Sequence, residues 1–390
     1  MSDVYHATIL NLHQPAGNLL ELWHEKSWEA HEILYALDRI PRSLWEHEDV
    51  ARIHLSLSGT LLETLSDPEF QQSAYGVVDC GSLLWYFQNL SIFKILGTAY
   101  YHPVLPLIPE TDRHHHLERW QGIARHLFNR NQFQGFWPPE MAFSMELIPL
   151  VKRMGYRYVV VDSEHVEAVT PMSWQTLRYQ PHVARYEGEE IVVVVRDREL
   201  SNAQESGMDR DWFESEVRER TKWCESAPLV ITATDGDNGG WFRNPDEQAN
   251  FWGFYKELLR QAKSGLTRIK PCFIDDYLDR FGTFGEVHIK TGAWNTGWHH
   301  GRNFTQWTGS QAQNDVLNRI CLTSKELETT ERQLQNRQDS EFSAHLEEAR
   351  WHLLRAETSC NIYWGESWVP RAHADLEACW SELNHMKCRL

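Results

Sequence analysis

From residue 5 to about residue 280 the chain repeats one unit: a short apolar run, a Pro- or Gly-marked turn, then an amphipathic stretch of helical spacing. This alternation builds parallel strands joined by crossover helices, because parallel neighbours need a long connection between them. The strand candidates are 5–12, 52–57, 92–96, 134–137, 156–161, 191–195, 229–234 and 270–274. A count near seven or eight favours an α/β sheet that closes, or nearly closes, into a barrel. Helical patterns lie between them at 28–46, 112–128, 145–154, 212–223 and 245–262. Barrel enzymes carry their chemistry at strand C-termini. Three punctuated strand ends therefore matter most: His13-Gln14-Pro15, Trp137-Pro138-Pro139-Glu140 and Asp235-Gly236-Asp237.

Beyond residue 280 the texture changes. An irregular stretch rich in Gly, Trp and His runs over 282–310. It leads into helical periodicity, with Val316, Ile320, Leu327 and Leu334 on one face and Phe342, Leu346, Ala349 and Leu353 on another. The polar segment 335–340 breaks these two helices, and Pro370 starts a last one ending near Cys388. The expected organisation is a catalytic barrel over 1–280, an aromatic-rich connection over 281–310 and a helical bundle over 311–390.

Charge excludes some partners. Across 390 residues, 38 Lys and Arg stand against 55 Asp and Glu, a formal net charge of −17. An acidic surface repels nucleic acid and anionic lipid, and no apolar run approaches the ~20 residues that span a bilayer. The N-terminus lacks the features of a signal peptide, so a cytoplasmic location is expected. Seven cysteines without a C-x-x-C pair fit reduced, mostly buried thiols. Eighteen Trp and 20 His are the strongest compositional bias. Aromatic faces stack on the C–H faces of sugars, which raises carbohydrate as a ligand, although most Trp are large core residues.

Two prolines in succession hold Glu140 in a rigid, non-helical corner suited to a nucleophile. Pro and Glu would also stand there if the corner simply opened a helix. The run Leu229–Asp235 delivers two acids, Asp235 and Asp237, into a glycine-rich loop where a ligand can approach the backbone, with Trp241 just beyond. Alone it could equally be an Asp-Gly turn or a calcium loop, though no Glu follows at EF-hand spacing. Taken together, Glu140 and Asp235 supply the two carboxyls that glycosidic cleavage requires. His13 and Gln14 end the first strand with groups able to hold sugar hydroxyls, a place where a histidine can also be purely structural.

These residues carry a resemblance. In this order the three strand ends, with Lys94-Ile95-Leu96-Gly97-Thr98-Ala99-Tyr100-Tyr101-His102-Pro103, resemble the characteristic regions of glycoside hydrolase family 57. The resemblance covers the barrel to about residue 280 and the helical part more loosely. It implies an incomplete (β/α)7 barrel and retaining action on an α-glucan oligo- or polysaccharide, with no cofactor. Glu140 would then be the nucleophile and Asp235 the general acid/base, with His13 and Trp137 lining the subsite of the attacked sugar. Lys94 and Asp237 stand where the family usually carries an acid and a Glu, departures that bear on substrate choice.

Further strand ends offer Asp162, in Asp162-Ser163-Glu164-His165, and Arg196, in Arg196-Asp197-Arg198. An Arg beside a carboxylate would hold it ionised, or Arg196 and Asp197 could form an ordinary ion pair. Among the six late tryptophans, Trp294, Trp298, Trp307, Trp351, Trp364 and Trp368, we expect some on the cleft rim, Trp298 and Trp364 foremost, and others between bundle and barrel. The run His114-His115-His116 and the pair His299-His300 are not read as metal ligands, because adjacent helical residues point about 100° apart. Two rivals stay open: a metal-dependent polysaccharide deacetylase holding its ion by an Asp and two His, and a carbohydrate-binding protein on an inactive scaffold. Hydrolysis, transfer and branching differ in how water is excluded from the acceptor site, which these motifs leave open together with the oligomeric state.

Overall fold

A computed structural model describes residues 3–294, 303–334 and 340–388. Its strands are β1 (Val4–Leu12), β2 (Ile53–Leu57), β3 (Phe93–Leu96), β4 (Gly135–Phe136), β5 (Tyr158–Asp162), β6 (Val166–Ala168), β7 (His182–Tyr186), β8 (Glu189–Arg196), β9 (Leu229–Asp235), β10 (Ile269–Pro271) and β11 (Val287–Ile289). Seven of them, in the order β3-β2-β1-β9-β8-β5-β4, pair in parallel, and β10 joins the start of β1. All eight sequence-derived strands are present, and the expected barrel is observed, with a seam.

Closure falls on a glycine. Gly97, one residue past β3, pairs with Phe136. Its N–H donates to the Gly135 carbonyl at 2.8 Å, and its carbonyl accepts the Trp137 N–H at 2.7 Å. A Cβ at position 97 would stand 2.2 Å from the Tyr156 ring, so this edge closes only because no side chain is there. The seam lies between β8 and β9, which meet in register at Arg196 and Ile231 alone. Side chains take over from the missing ladder: Arg196 Nε donates to the Ala233 carbonyl at 2.8 Å, and the Ala233 N–H donates to Ser201 Oγ at 3.0 Å.

The seam exists because β7, absent from the sequence reading, occupies the first half of the β8 edge as an antiparallel hairpin. Glu187 (φ 49°) and Gly188 (φ 84°) make its two-residue turn, both left-handed as a type I′ hairpin requires. Helix boundaries also differ from expectation. The stretch 245–262 becomes a 3₁₀ turn at Glu247–Ala249 and then a helix at Phe251–Ser264, because Asn250 accepts the Gly253 N–H and starts the helix there.

Past the barrel, helices Gln311–Leu334, Ser340–Ala356 and Val369–Lys387 form a bundle. Val316, Ile320, Leu327, Leu334, Phe342, Ala349 and Leu353 are buried in its core, with Leu346 packed against it. The expected break at 335–340 lies, except for Ser340, outside the described residues. Val104, Ala142 and Ala293 share this core, so the bundle is seated on loops of the barrel mouth. No helix among the described residues is long and apolar enough to cross a membrane.

Candidate active site

Strand periodicity places the polar groups. Along β1, Ala7 and Ile9 fill the barrel interior, and along β9 Leu229, Ile231 and Ala233 do the same. Continuing by twos carries Asn11 and His13, and Asp235, to the inward side at the mouth. Since the strands run parallel, their C-terminal ends gather there. The cleft they open, of about 690 Å³, is lined by His13, Gln14, Glu140, Asp235, Asp237 and Trp364 of the expected residues, together with Asn11, His102, Trp294 and Cys360.

Glu140 sits in the corner after β4 at φ 57° and ψ 15°, a left-handed conformation that a non-glycine residue holds only where its surroundings impose it. Ser359 Oγ donates to its Oε1 at 2.7 Å and Trp294 Nε1 donates to its Oε2 at 3.0 Å. His102 Nδ1 stands 3.4 Å from Oε1. Burial pushes this carboxyl up, but the hydrogen bond and charge from His102 and the donors Ser359 and Trp294 outweigh it, leaving the pKa below its ordinary value. His13 stacks on His102 with ring centroids 4.0 Å apart. Burial, and then His102, hold the His13 pKa well below the ordinary range, so its ring is neutral.

The second acid experiences the reverse. Asp235 is pushed up to about 8, first by burial and then by the Asp237 charge, with Glu140 adding to it; the Asn11 hydrogen bond opposes. Asn11 Nδ2 donates to Oδ1 at 2.9 Å. Asp237 is pushed up to about 6 by burial, against the Gln14 hydrogen bond of 3.0 Å. Near neutral pH one wall of the cleft therefore carries an ionised carboxylate, and another a protonated acid.

The other expected residues lie behind this lining. Asp162 and Arg196, both inward-facing by strand parity, pair with each other at 2.7 Å inside the barrel, and Arg198 adds a contact to Asp162 at 2.8 Å. Arg196 is thus bound to Asp162 rather than to Asp197, which caps the helix Arg198–Ser206 and accepts Tyr179 Oη at 2.7 Å. The Arg196 guanidinium lies 5.9 Å from the Trp294 ring. Trp137 is fully buried and meets Trp294 edge-on at 5.7 Å. Trp241 packs over Gly207. Trp298, with His299 and His300, falls outside the described residues. Lys94 pairs with Asp275 at 2.8 Å, away from the cleft lining.

Two lining residues had partial sequence signals: His102 lies in the quoted 94–103 stretch, and Trp294 is one of the six late tryptophans. Ser359 and Cys360 carried none, since nothing local tells that a bundle segment enters a barrel mouth. Of the histidine run, His116 is buried against Glu357 while His114 and His115 lie near Glu118. Among the described residues no group of three or more His, Cys, Asp or Glu is arranged to hold a metal ion.

Comparison with known proteins places the chain among similar sequences and folds. An α-amylase of Pyrococcus horikoshii is 23% identical over 285 residues, 71% of this chain and 40% of that protein. A 4-α-glucanotransferase of Thermococcus kodakarensis is 25% identical over 283 residues, 71% of this chain and 39% of that protein. The matched part thus spans about two fifths of these relatives. Among solved structures, a GH57-type branching enzyme from Pyrococcus horikoshii superposes with a TM-score of 0.73 at 15% identity, over 98% of this chain and 88% of that one, and so shares the fold. The model of glycosyl hydrolase family 57 matches residues 9–290, which include both acids, the end of β1 and the other six strands of the barrel ring, and the chain belongs to that family.

Proposed function

We propose that this protein acts on α-glucan oligo- or polysaccharides by a two-step displacement that retains anomeric configuration. The observation that carries the reading is the opposite treatment of two carboxyls on one cleft: Glu140 is kept ionised and Asp235 protonated. Environments that push two acids apart assign their roles. Family membership and the amylase and glucanotransferase names of its relatives support the substrate class.

In the first step a Glu140 oxygen attacks the anomeric carbon, the glycosidic C–O bond breaks, and the Asp235 proton passes to the leaving oxygen. With Asn11 donating to Oδ1, Oδ2 is the oxygen left to carry that proton. Esterified Glu140 has no charge, so one upward push on Asp235 disappears as it becomes the base. Asp235 then takes the proton of water or of a sugar hydroxyl, whose oxygen attacks the same carbon and releases Glu140. Trp364, more than half exposed at the cleft rim beside Tyr363, offers an acceptor platform that favours transfer to sugar. His13 and Gln14 line the donor side and Asp237 orients Gln14. Trp137, Asp162 and Arg196 act through Trp294. All seven cysteines are unpaired, which supports a reducing compartment such as the cytoplasm.

Incubation with maltoheptaose tests the proposal, with anomeric protons followed by NMR. Products should form first as the α-anomer, and chain lengths both above and below seven would mark transfer. Glu140→Gln and Asp235→Asn should each lower turnover by three orders of magnitude or more, roughly. If both variants keep wild-type rates, the two-carboxyl reading fails. In a complex with substrate the carboxyls should stand about 5 to 5.5 Å apart.

A further inference from the structure

The donors that hold Glu140 come from distant parts of the chain, and two of them, Trp294 and Ser359, lie beyond residues 9–290, the stretch the family model covers, with Ser359 alone coming from the helical region. We infer that Ser359 is a positioning residue for Glu140, delivered to the barrel mouth by the helical region to fix the orientation of the carboxylate and favour its charged form. This rests on Glu140 being the nucleophile.

A carboxylate has no proton to give, so the 2.7 Å contact is a donation from Ser359 Oγ to Oε1. His102 Nδ1 faces the same pair, 3.3 Å from Ser359 Oγ and 3.4 Å from Oε1. Its proton is shared between two acceptors at 3.3 and 3.4 Å, whereas the serine hydroxyl makes the shorter contact to Oε1, at 2.7 Å. The other titratable groups around Glu140 are Asp235, which is protonated, and the Cys360 thiol, which burial and the Glu140 charge push up; neither can supply an equivalent charge.

The placement of Ser359 is over-determined. Glu357 is fully buried, and its Oε2 lies 2.8 Å from His116 Nε2. His116 Nδ1 accepts the Tyr101 N–H at 3.4 Å, which leaves the ring proton on Nε2, facing Glu357. Thr358 pairs with Pro103, and the Ser359 N–H donates to the His102 carbonyl at 3.1 Å. Cys360 Sγ stands 3.7 Å from His13 Nε2. Four consecutive residues are thus each tied to the barrel. On the barrel side, His102 (φ 56°) and Glu140 (φ 57°) both hold left-handed backbone. Such conformations persist where neighbours enforce them.

The experiment is a pH profile of kcat/KM on maltoheptaose for wild type, Ser359→Ala and Ser359→Thr in the full chain, with melting temperatures alongside. Ser359→Ala should raise the acid limb, which reports Glu140, by about one pH unit and lower kcat by on the order of tenfold. The alkaline limb and KM should barely move, and Ser359→Thr, which keeps the hydroxyl, should restore the acid limb. An acid limb unmoved in folded Ser359→Ala overturns the inference, as does a parallel shift of both limbs. If the alanine variant does not fold, Ser359→Cys carries the test: its weaker donor must raise the acid limb part of the way. Glu140→Gln separates the two readings. Full turnover in Glu140→Gln defeats the nucleophile assignment, whereas an inactive Glu140→Gln beside an unmoved Ser359→Ala limb defeats only the role of Ser359.

Discussion

Asp237→Asn tests why Asp235 is an acid near neutral pH. Asp235 is pushed up to about 8 by burial and then by the Asp237 charge. Asp237, at about 6, is ionised through the range in which Asp235 titrates. Asparagine keeps the shape and the oxygen that accepts from Gln14 but removes the charge. A like charge acting across an effective dielectric near 20 is worth about 1 to 2 kcal/mol, or about one pH unit. The alkaline limb of kcat/KM should therefore fall from about 8 to about 7, since that limb reports the proton donor of the free enzyme. At pH about 7.5 the protonated fraction drops from about three quarters to about one quarter, a roughly threefold loss of kcat/KM; at pH about 5.5 nothing changes. Initial rates on maltoheptaose from pH 5 to 9 measure this. An alkaline limb that stays in place or climbs would refute the reasoning, leaving burial alone to explain the shift.

Two further outcomes follow from the same geometry. Gly97→Ala should destabilise the protein by about 2 kcal/mol or more in urea unfolding, because the new methyl meets the Tyr156 ring at the closing edge of the barrel. Its kcat should fall as well, since the Gly97 carbonyl holds the Trp137 N–H at the start of the Glu140 corner. Asp235→Asn should raise the melting temperature at pH 8 and leave it nearly unchanged at pH 4. The folded pKa near 8 lies above the ordinary 3.8, so the folded chain holds a proton that the unfolded chain releases. Stability tied to that proton is present below pH 3.8 and lost as pH rises towards 8; at pH 8 removing the group recovers on the order of 5 kcal/mol. An equal gain at pH 4 would contradict the linkage.

How much of this was legible before folding differs between elements. Short apolar runs, three of them ended by marked Pro or Gly turns, located all eight expected strands, because burial on both faces and turn chemistry are local properties of a sequence. The hairpin of β7 with β8 escaped, although Glu187-Gly188 is a turn signal, because His182-Val183-Ala184-Arg185-Tyr186 is too polar to read as an apolar run. Trp137-Pro138-Pro139-Glu140 and Asp235-Gly236-Asp237 marked both acids for the same local reason, their places at strand ends. The tertiary structure alone decided what those acids are. Carboxyls of ordinary chemistry come to differ in protonation because Ser359, Trp294 and His102 converge on Glu140, while burial and Asp237 bear on Asp235. It also showed Asp162 and Arg196 bound to each other inside the barrel, and drew Ser359 in from the helical region. Periodicity records which face of an element is buried, but not which distant segment covers it. A protonation state is set by the charges and donors within a few ångströms, and those neighbours are chosen only when the whole chain closes.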